Sequence, residues 1–367
     1  MDEHEIISVA STVELIMGTV LNIIFIYVIR NGTRHAVGQI YKHMMTCFAI
    51  CNIAFVLTEF IAKPIIYIYG FSLMTFSHGL FERAKPWGLL SLCLFMGMYG
   101  VNTALLSLHF VYRYIAVCRH DLLHIFRKPT SITIVISSVF SWGVIYGFIT
   151  FYCFAANENY YRYANLLLHE KFGDDIHNLS FFCIFTHEKK GNETIIYWSP
   201  TLGIGLMFAM MIFTFTLMLF CGAKLYRFLK RSSMSRHSKI LQTQLLRALV
   251  VQATIPFFAT YLSRAAMYTT IIVGIPPLSI YSFTQIAVTS YTVIDPIVLM
   301  FFLCDFRRTL SNLRKNIAIL FCTGTKSHDR ITIAIVRPSP FALKGHGTPT
   351  LRVLAKPDNK PTTLLHR

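Results

Sequence analysis

The sequence predicts an all-α membrane protein: a seven-transmembrane helix bundle, N-terminus outside, C-terminus cytoplasmic, with a short amphipathic helix after the seventh span. Three observations predict it. Hydrophobic residues make up 54% of the 367 positions and charged residues 14%, against about a quarter charged in soluble proteins. Seven apolar runs reach the length of about 20 residues that crosses a bilayer. Basic residues concentrate in alternate connecting segments, as the positive-inside bias requires. With a mean hydropathy of +0.53, an ordinary cytosolic enzyme, a disordered chain and a disulfide-rich secreted scaffold are excluded.

The runs follow in order. The first is about 6–29, with Glu14 its one charge; the second is about 41–62. The third fits between Lys85 and Arg113, where 27 residues contain no Asp, Glu, Lys or Arg, and the fourth occupies the 29 such residues between Lys128 and Glu158. The fifth lies between Glu193 and Lys224. The sixth, about 245–273, is interrupted by Arg264, and the seventh, about 278–303, by Asp295. Their length and the absence of two-residue alternation exclude barrel strands. The acidic flank Met1-Asp2-Glu3-His4-Glu5 is unlike a cleaved signal peptide, so the first run is expected to remain as a signal anchor. The expected organisation is a short outer N-terminus (1–5), the bundle (6–303), an amphipathic juxtamembrane segment (304–322) and a disordered basic tail (323–367).

With the N-terminus outside, the inner segments 30–42, 112–131, 224–247 and 305–367 carry 3, 4, 7 and 12 Lys+Arg, or 26 of 34. Twelve of the 17 acids fall on the outer side or in the outer parts of helices. The net charge of +17 is thus a topology signal, and membrane lipids rather than nucleic acid are the expected anionic partner. Of three Asn-x-Ser/Thr sequons, those at Asn178 and Asn192 lie in the long second outer loop and are expected to carry glycan; that at Asn31 lies inside. Nine cysteines form no CxxC pair and no His/Cys cluster has zinc spacing, so no metal or other cofactor is expected.

Several residues carry chemistry. Arg113 stands where the third helix leaves the membrane, flanked by Tyr112 and Tyr114; it either snorkels to headgroups or serves as a cationic switch. Asp295-Pro296 couples a membrane carboxylate to a helix kink, a costly combination that points to function. Pro256 is expected to kink the sixth helix, with Phe257, Phe258 and Tyr261 following outward. Taking a rise of 1.5 Å per residue, Tyr99 lies roughly 21 Å outward of Arg113, with Phe95 one turn further. These aromatics, with Gln285 and Asn102 as orienting polar groups, are expected to line an outer-half cavity. Such a lining favours a small uncharged ligand; a charged one would need Arg264, Glu59 or Lys63, read as lying higher.

Gly38-x-x-Tyr41-Lys42-x-x-Met45, His109-Phe110-x-Tyr112-Arg113-Tyr114, Asp295-Pro296 and Asp305-Phe306-Arg307 resemble the nematode serpentine chemoreceptors of the Str superfamily, with the Str and class J groups nearest. The resemblance covers roughly residues 10–315. It implies a G protein-coupled receptor for odorant-like environmental cues, coupling to a heterotrimeric G protein in the plasma membrane of a sensory neuron cilium. Departures from rhodopsin-like receptors are Leu299, where a tyrosine is usual, and the lack of a cysteine at the extreme outer end of helix three. A Cys93–Cys183 bridge is open, with Cys153 a rival partner. The alternative is a transporter or channel, which should show several mid-membrane ionisable groups or repeated halves. An enzyme is not expected, because HExxH, GxSxG and phosphate-loop motifs are missing from the sequence.

Overall fold

The computed structural model describes residues 3–32, 39–126, 128–156, 158–163, 179–190, 192–274, 281, 283–302, 306–309 and 311. Helices α1 (Glu3–Gly32), α2 (Gln39–Ala62), α3 (Trp87–Cys118), α4 (Pro129–Cys153) and α5 (Trp198–Arg231) form the first five spans. The sixth is continuous from Ser238 to Val273. It comprises α6 (Arg236–Pro256), a π-helical turn (Phe257–Leu262) and α7 (Ser263–Val273). Helix α8 (Thr284–Phe302) is the seventh span. The helical bundle predicted from the apolar runs is the observed fold.

The spans earn their places by which faces they can afford to show lipid. Val9, Val13, Ile16, Val20 and Ile23 of α1 are all exposed, an apolar stripe suited to a hydrocarbon solvent. Helix α3 is the central one and packs on α2, α4 and α5. Its contact with α4 depends on small residues: a Cβ on Gly100 would come within 2.7 Å of the Tyr146 ring, and one on Gly143 within 2.7 Å of the Gly97 carbonyl. Close backbone approach of this kind is how membrane helices gain packing energy without a hydrophobic drive between them.

Two departures from the sequence reading shape the ends of the bundle. The basic segment 224–247, which the apolar runs leave as a connection between spans, is mostly helix: α5 runs to Arg231 and α6 begins at Arg236. Lys and Arg are good helix formers, and Leu225 and Leu229, one turn apart, bury against Val117 and Leu246. On the opposite side a sheet forms that periodicity in the apolar runs did not reveal. Strands β1 (Pro64–Tyr69) and β2 (Ser72–Ser77) make an antiparallel hairpin in which Tyr69 pairs Ser72. Gly70 turns the chain with φ of 52°, a conformation that glycine adopts without strain. Strand β3 (Phe181–Phe185) pairs with β2. Ile66, Ile68, Leu73, Phe182 and Ile184 of this sheet share one core with Phe95, Tyr99, Tyr268 and Val288 of the helices. The sheet is therefore a packed lid on that end of the bundle. A second hairpin, β4 (His187–Lys190) with β5 (Glu193–Ile196), leads into α5.

The first helix begins at Glu3, inside the segment read as an N-terminal extension. Of the juxtamembrane segment and tail, only residues 306–309 and 311 are among those described. Phe306 is buried and meets the Phe25 ring edge-on at 5.8 Å, closing the inner core. Cys47, Cys51, Cys93, Cys118, Cys153, Cys183 and Cys221 are free thiols, so neither bridge considered for Cys183 is formed. Burial on β3 pushes the Cys183 thiol above its ordinary range, which keeps it protonated and unreactive.

Candidate functional site

At the end of the bundle away from the sheet, Arg113 does not snorkel. It is 5% exposed, and its guanidinium lies over the Tyr41 ring, 5.1 Å from the centroid. Its Nη2 donates to Oε1 of Gln242 on α6. Tyr112 stacks on Tyr41 at 5.8 Å and meets Phe126 edge-on at 5.1 Å. His109 fills the space between Tyr41 and Phe48. A guanidinium held by a ring face and an amide oxygen ties the third span to the sixth. Tyr114 faces α5 and packs on Phe220.

At mid-bundle, Asp295 is buried and accepts two hydrogen bonds. Asn52 Nδ2 donates at 3.3 Å and Gln252 Nε2 at 2.5 Å. Asn22 Nδ2 donates to the carbonyls of Gly18 and Thr292 at 2.8 and 3.0 Å, and its Oδ1 lies 3.5 Å from Asn52 Nδ2. The second, sixth and seventh spans meet at one carboxylate, with the first joined through Asn22. Pro296 permits this geometry, since a proline inside a helix frees a backbone carbonyl and lets the axis bend.

Outward of this network the polar groups change character. Tyr99 is 2% exposed, packs edge-on against Tyr146 at 5.6 Å, and its hydroxyl has no hydrogen-bond partner. Asn102 and Gln285 are buried; both side-chain polar atoms of Asn102 and Oε1 of Gln285 are unpartnered. Phe95 stacks on Phe55 at 5.1 Å, and Tyr291 lies 6.0 Å from Phe55 with its hydroxyl unpartnered. Arg264 is the unexpected member. The sequence reading set it higher, near the membrane surface, but it is 7% exposed with its guanidinium 5.2 Å from the Tyr99 ring centroid. The expectation of an uncharged ligand rests on the aromatic lining together with Arg264 lying higher, and the structure changes the second of these by setting Arg264 beside Tyr99.

The sixth span also corrects part of the aromatic set. Phe258 is 59% exposed. With Phe257 it lines a groove of about 770 Å³ on the membrane-facing flank of α5 and α6. Phe257 stacks on Phe215 at 4.9 Å and engages the fifth span, whereas Tyr261 bonds Thr214 at 3.1 Å and also lies within electrostatic reach of Tyr99, Tyr146 and Tyr291, as the aromatic set requires. The inward face runs instead through Gln252, Thr260, Arg264 and Tyr268. The π turn after Pro256 changes the residues per turn, so a face projected at 3.6 misses its target.

A third polar group joins the first, second and seventh spans. Ser11 donates to Glu59 at 2.7 Å, Thr289 donates to Glu14, and Lys63 donates to Ser8 at 3.0 Å. Asn192 is exposed at the β4–β5 turn; Asn178 lies outside the described residues. Sequence reasoning missed Gln242, Asn22, Asn52, Gln252 and Tyr291. For Asn22, Asn52 and Gln252 the available signal was a lone amide within the first, second and sixth apolar runs, since buried polar groups in a membrane are expensive.

Seven spans around a carboxylate-centred polar network, with a tied arginine at one end and a lidded aromatic core at the other, make up a multi-pass membrane bundle. A sequence model of the serpentine type 7TM GPCR chemoreceptor Str family matches residues 7–311. The chain belongs to that family. It is similar to the Caenorhabditis elegans protein "Serpentine receptor class r-10", with 26% identity over 280 residues covering 74% of this chain and 80% of that one. "G-protein coupled receptor str-33" of the same nematode is 22% identical over 306 residues (80% and 86% covered). "Serpentine receptor class J-38", also from C. elegans, is 22% identical over 302 residues (81% and 89% covered). Membership makes this a chemosensory receptor, a class that couples to G proteins and answers small ligands; nothing in these relationships favours a transporter or channel.

Proposed function

We propose that a small environmental molecule binds in the lidded half of the bundle, among Phe95, Tyr99, Asn102 and Gln285, and drives separation of the third and sixth spans at the opposite end. The observation that carries this is the pairing of Arg113 with Gln242. It is a discrete contact between two spans, made by a cation that a G protein can engage once released. A ligand favours that released conformation only by binding it more tightly than the closed one. Asp295 links the two ends, because donors from the second and sixth spans converge on it. The bundle lies in the plasma membrane, in a sensory cilium, with its N-terminus and the sheet lid outside. The distribution of Lys and Arg supports that orientation.

The test is nucleotide exchange on a heterotrimeric G protein driven by receptor in vesicles, with Arg113→Ala as the comparison. Loss of exchange by the variant at equal amounts of folded receptor supports the reading. Unchanged exchange contradicts it.

A further inference from the structure

Arg264 is the feature that the receptor reading leaves unexplained. The bundle buries this cation so that it is 7% exposed, yet its Nε has no hydrogen-bond partner. The acceptor given to its Nη2 is the Met96 thioether at 3.9 Å, a weak acceptor. Among the described residues no carboxylate is ion-paired with Arg264. Its ring partner is Tyr99, whose own hydroxyl is also unpartnered. A buried charge is tolerated when an opposite charge and hydrogen bonds compensate it, and among the described residues Arg264 meets no opposite charge and a weak thioether acceptor. The surroundings are otherwise apolar: Met96, Tyr146, Met267 and Ile271 belong to the same core as the sheet lid.

We infer that the ligand of this receptor is a small carboxylate with an apolar body, its anionic oxygens bound by Arg264 and the Tyr99 hydroxyl and its body held against the aromatic core beneath the lid. Guanidinium donors are arranged as a fork that matches carboxylate geometry. The phenol adds one further donor. This assignment rests on the ligand-site reading above and sharpens it, since a neutral odorant would leave the cation as uncompensated as before.

The experiment uses the full chain, purified in lipid nanodiscs. Thermal unfolding is followed with short-chain alkyl carboxylates and benzoate, and with the amides and alcohols of the same carbon skeletons. The variants are Arg264→Gln, Arg264→Lys and Tyr99→Phe. The expected result is that carboxylates raise the midpoint of wild type and their amides and alcohols do not. Arg264→Gln loses the shift, Arg264→Lys keeps part of it, and Tyr99→Phe weakens carboxylate affinity about tenfold. Without ligand, Arg264→Gln unfolds at or above the wild-type midpoint, because an unpaired buried charge is removed; a lower midpoint would mark Arg264 as a structural element and overturn the proposal. Equal shifts from amides and carboxylates, a carboxylate shift that survives Arg264→Gln, or no shift from any carboxylate would also overturn it. Titration with sodium chloride, no carboxylate being present, supplies the remaining arm: stabilisation by chloride alone would assign Arg264 to an inorganic ion and overturn the proposal. Neutral compounds that bind in a Tyr99-dependent way would leave the ligand site standing while refuting the carboxylate.

Discussion

Two buried arginines define the two ends of this receptor, and they are nearly alike in setting. Arg113 and Arg264 are 5% and 7% exposed, each sits over a tyrosine ring at 5.1 and 5.2 Å, and each has an unpartnered Nε. They differ in what meets the rest of the guanidinium. Arg113 has the Gln242 amide oxygen from a neighbouring span; Arg264 has a thioether. The first cation has an oxygen acceptor from within the chain, and on the proposed reading that contact is a clasp that activation opens. The second cation has a weak acceptor among the described residues, and on the inference drawn above the ligand completes its site. Burial alone does not distinguish a structural ion from a binding one; the supply of acceptors does.

Three substitutions sharpen or break this contrast, taken from the largest expected effect downward. Asp295→Ala removes the acceptor that Asn52 and Gln252 share, leaving buried donors without partners. A loss of roughly 1–3 kcal/mol is expected, read as a lowered unfolding midpoint in nanodiscs; an unchanged midpoint would mean that the network does not hold the two ends together. Tyr99→Ala should shift an activating compound's dose–response to the right by about tenfold, or about 1.4 kcal/mol. Phe258→Ala, on the membrane-facing flank, should leave potency within about twofold, since surface substitutions typically change stability by no more than about 0.5 kcal/mol. Equal effects of the two would dissolve the distinction between chamber and flank. The smallest change is one of mass: Asn192→Gln should remove a glycan-dependent mobility shift in a eukaryotic host, whereas Asn31→Gln should not. Glycan on Asn31 would invert the proposed orientation.

The spans were legible because lipid demands long uninterrupted apolar runs, and each run can be counted without knowing what it packs against. Asp295, Tyr99 and Arg113 were legible because a charge or a polar ring stands out in such a run. The lid was not, since Pro64–Tyr69 reads as a continuation of apolar composition, and its strand character comes from pairing with β2 and β3. The depth of Arg264 was hidden because counting residues along an ideal helix places a side chain by height alone. Its inward aim depends on the π turn at Phe257–Leu262 and on Tyr99 of another span. Gln242 was obscured because the stretch around it reads as a polar loop, whereas Leu225, Leu229 and Leu246 continue the helices there.

The sharpest measurement breaks the Arg113–Gln242 contact from each side. Both Gln242→Ala and Arg113→Ala open the contact, but only the first leaves the cation that we propose the G protein engages. The expected outcome is opposite signs in ligand-free nucleotide exchange: Gln242→Ala rises a few-fold above wild type, while Arg113→Ala falls to background. Exchange that moves in the same direction in both variants, or Gln242→Ala indistinguishable from wild type, would contradict the account.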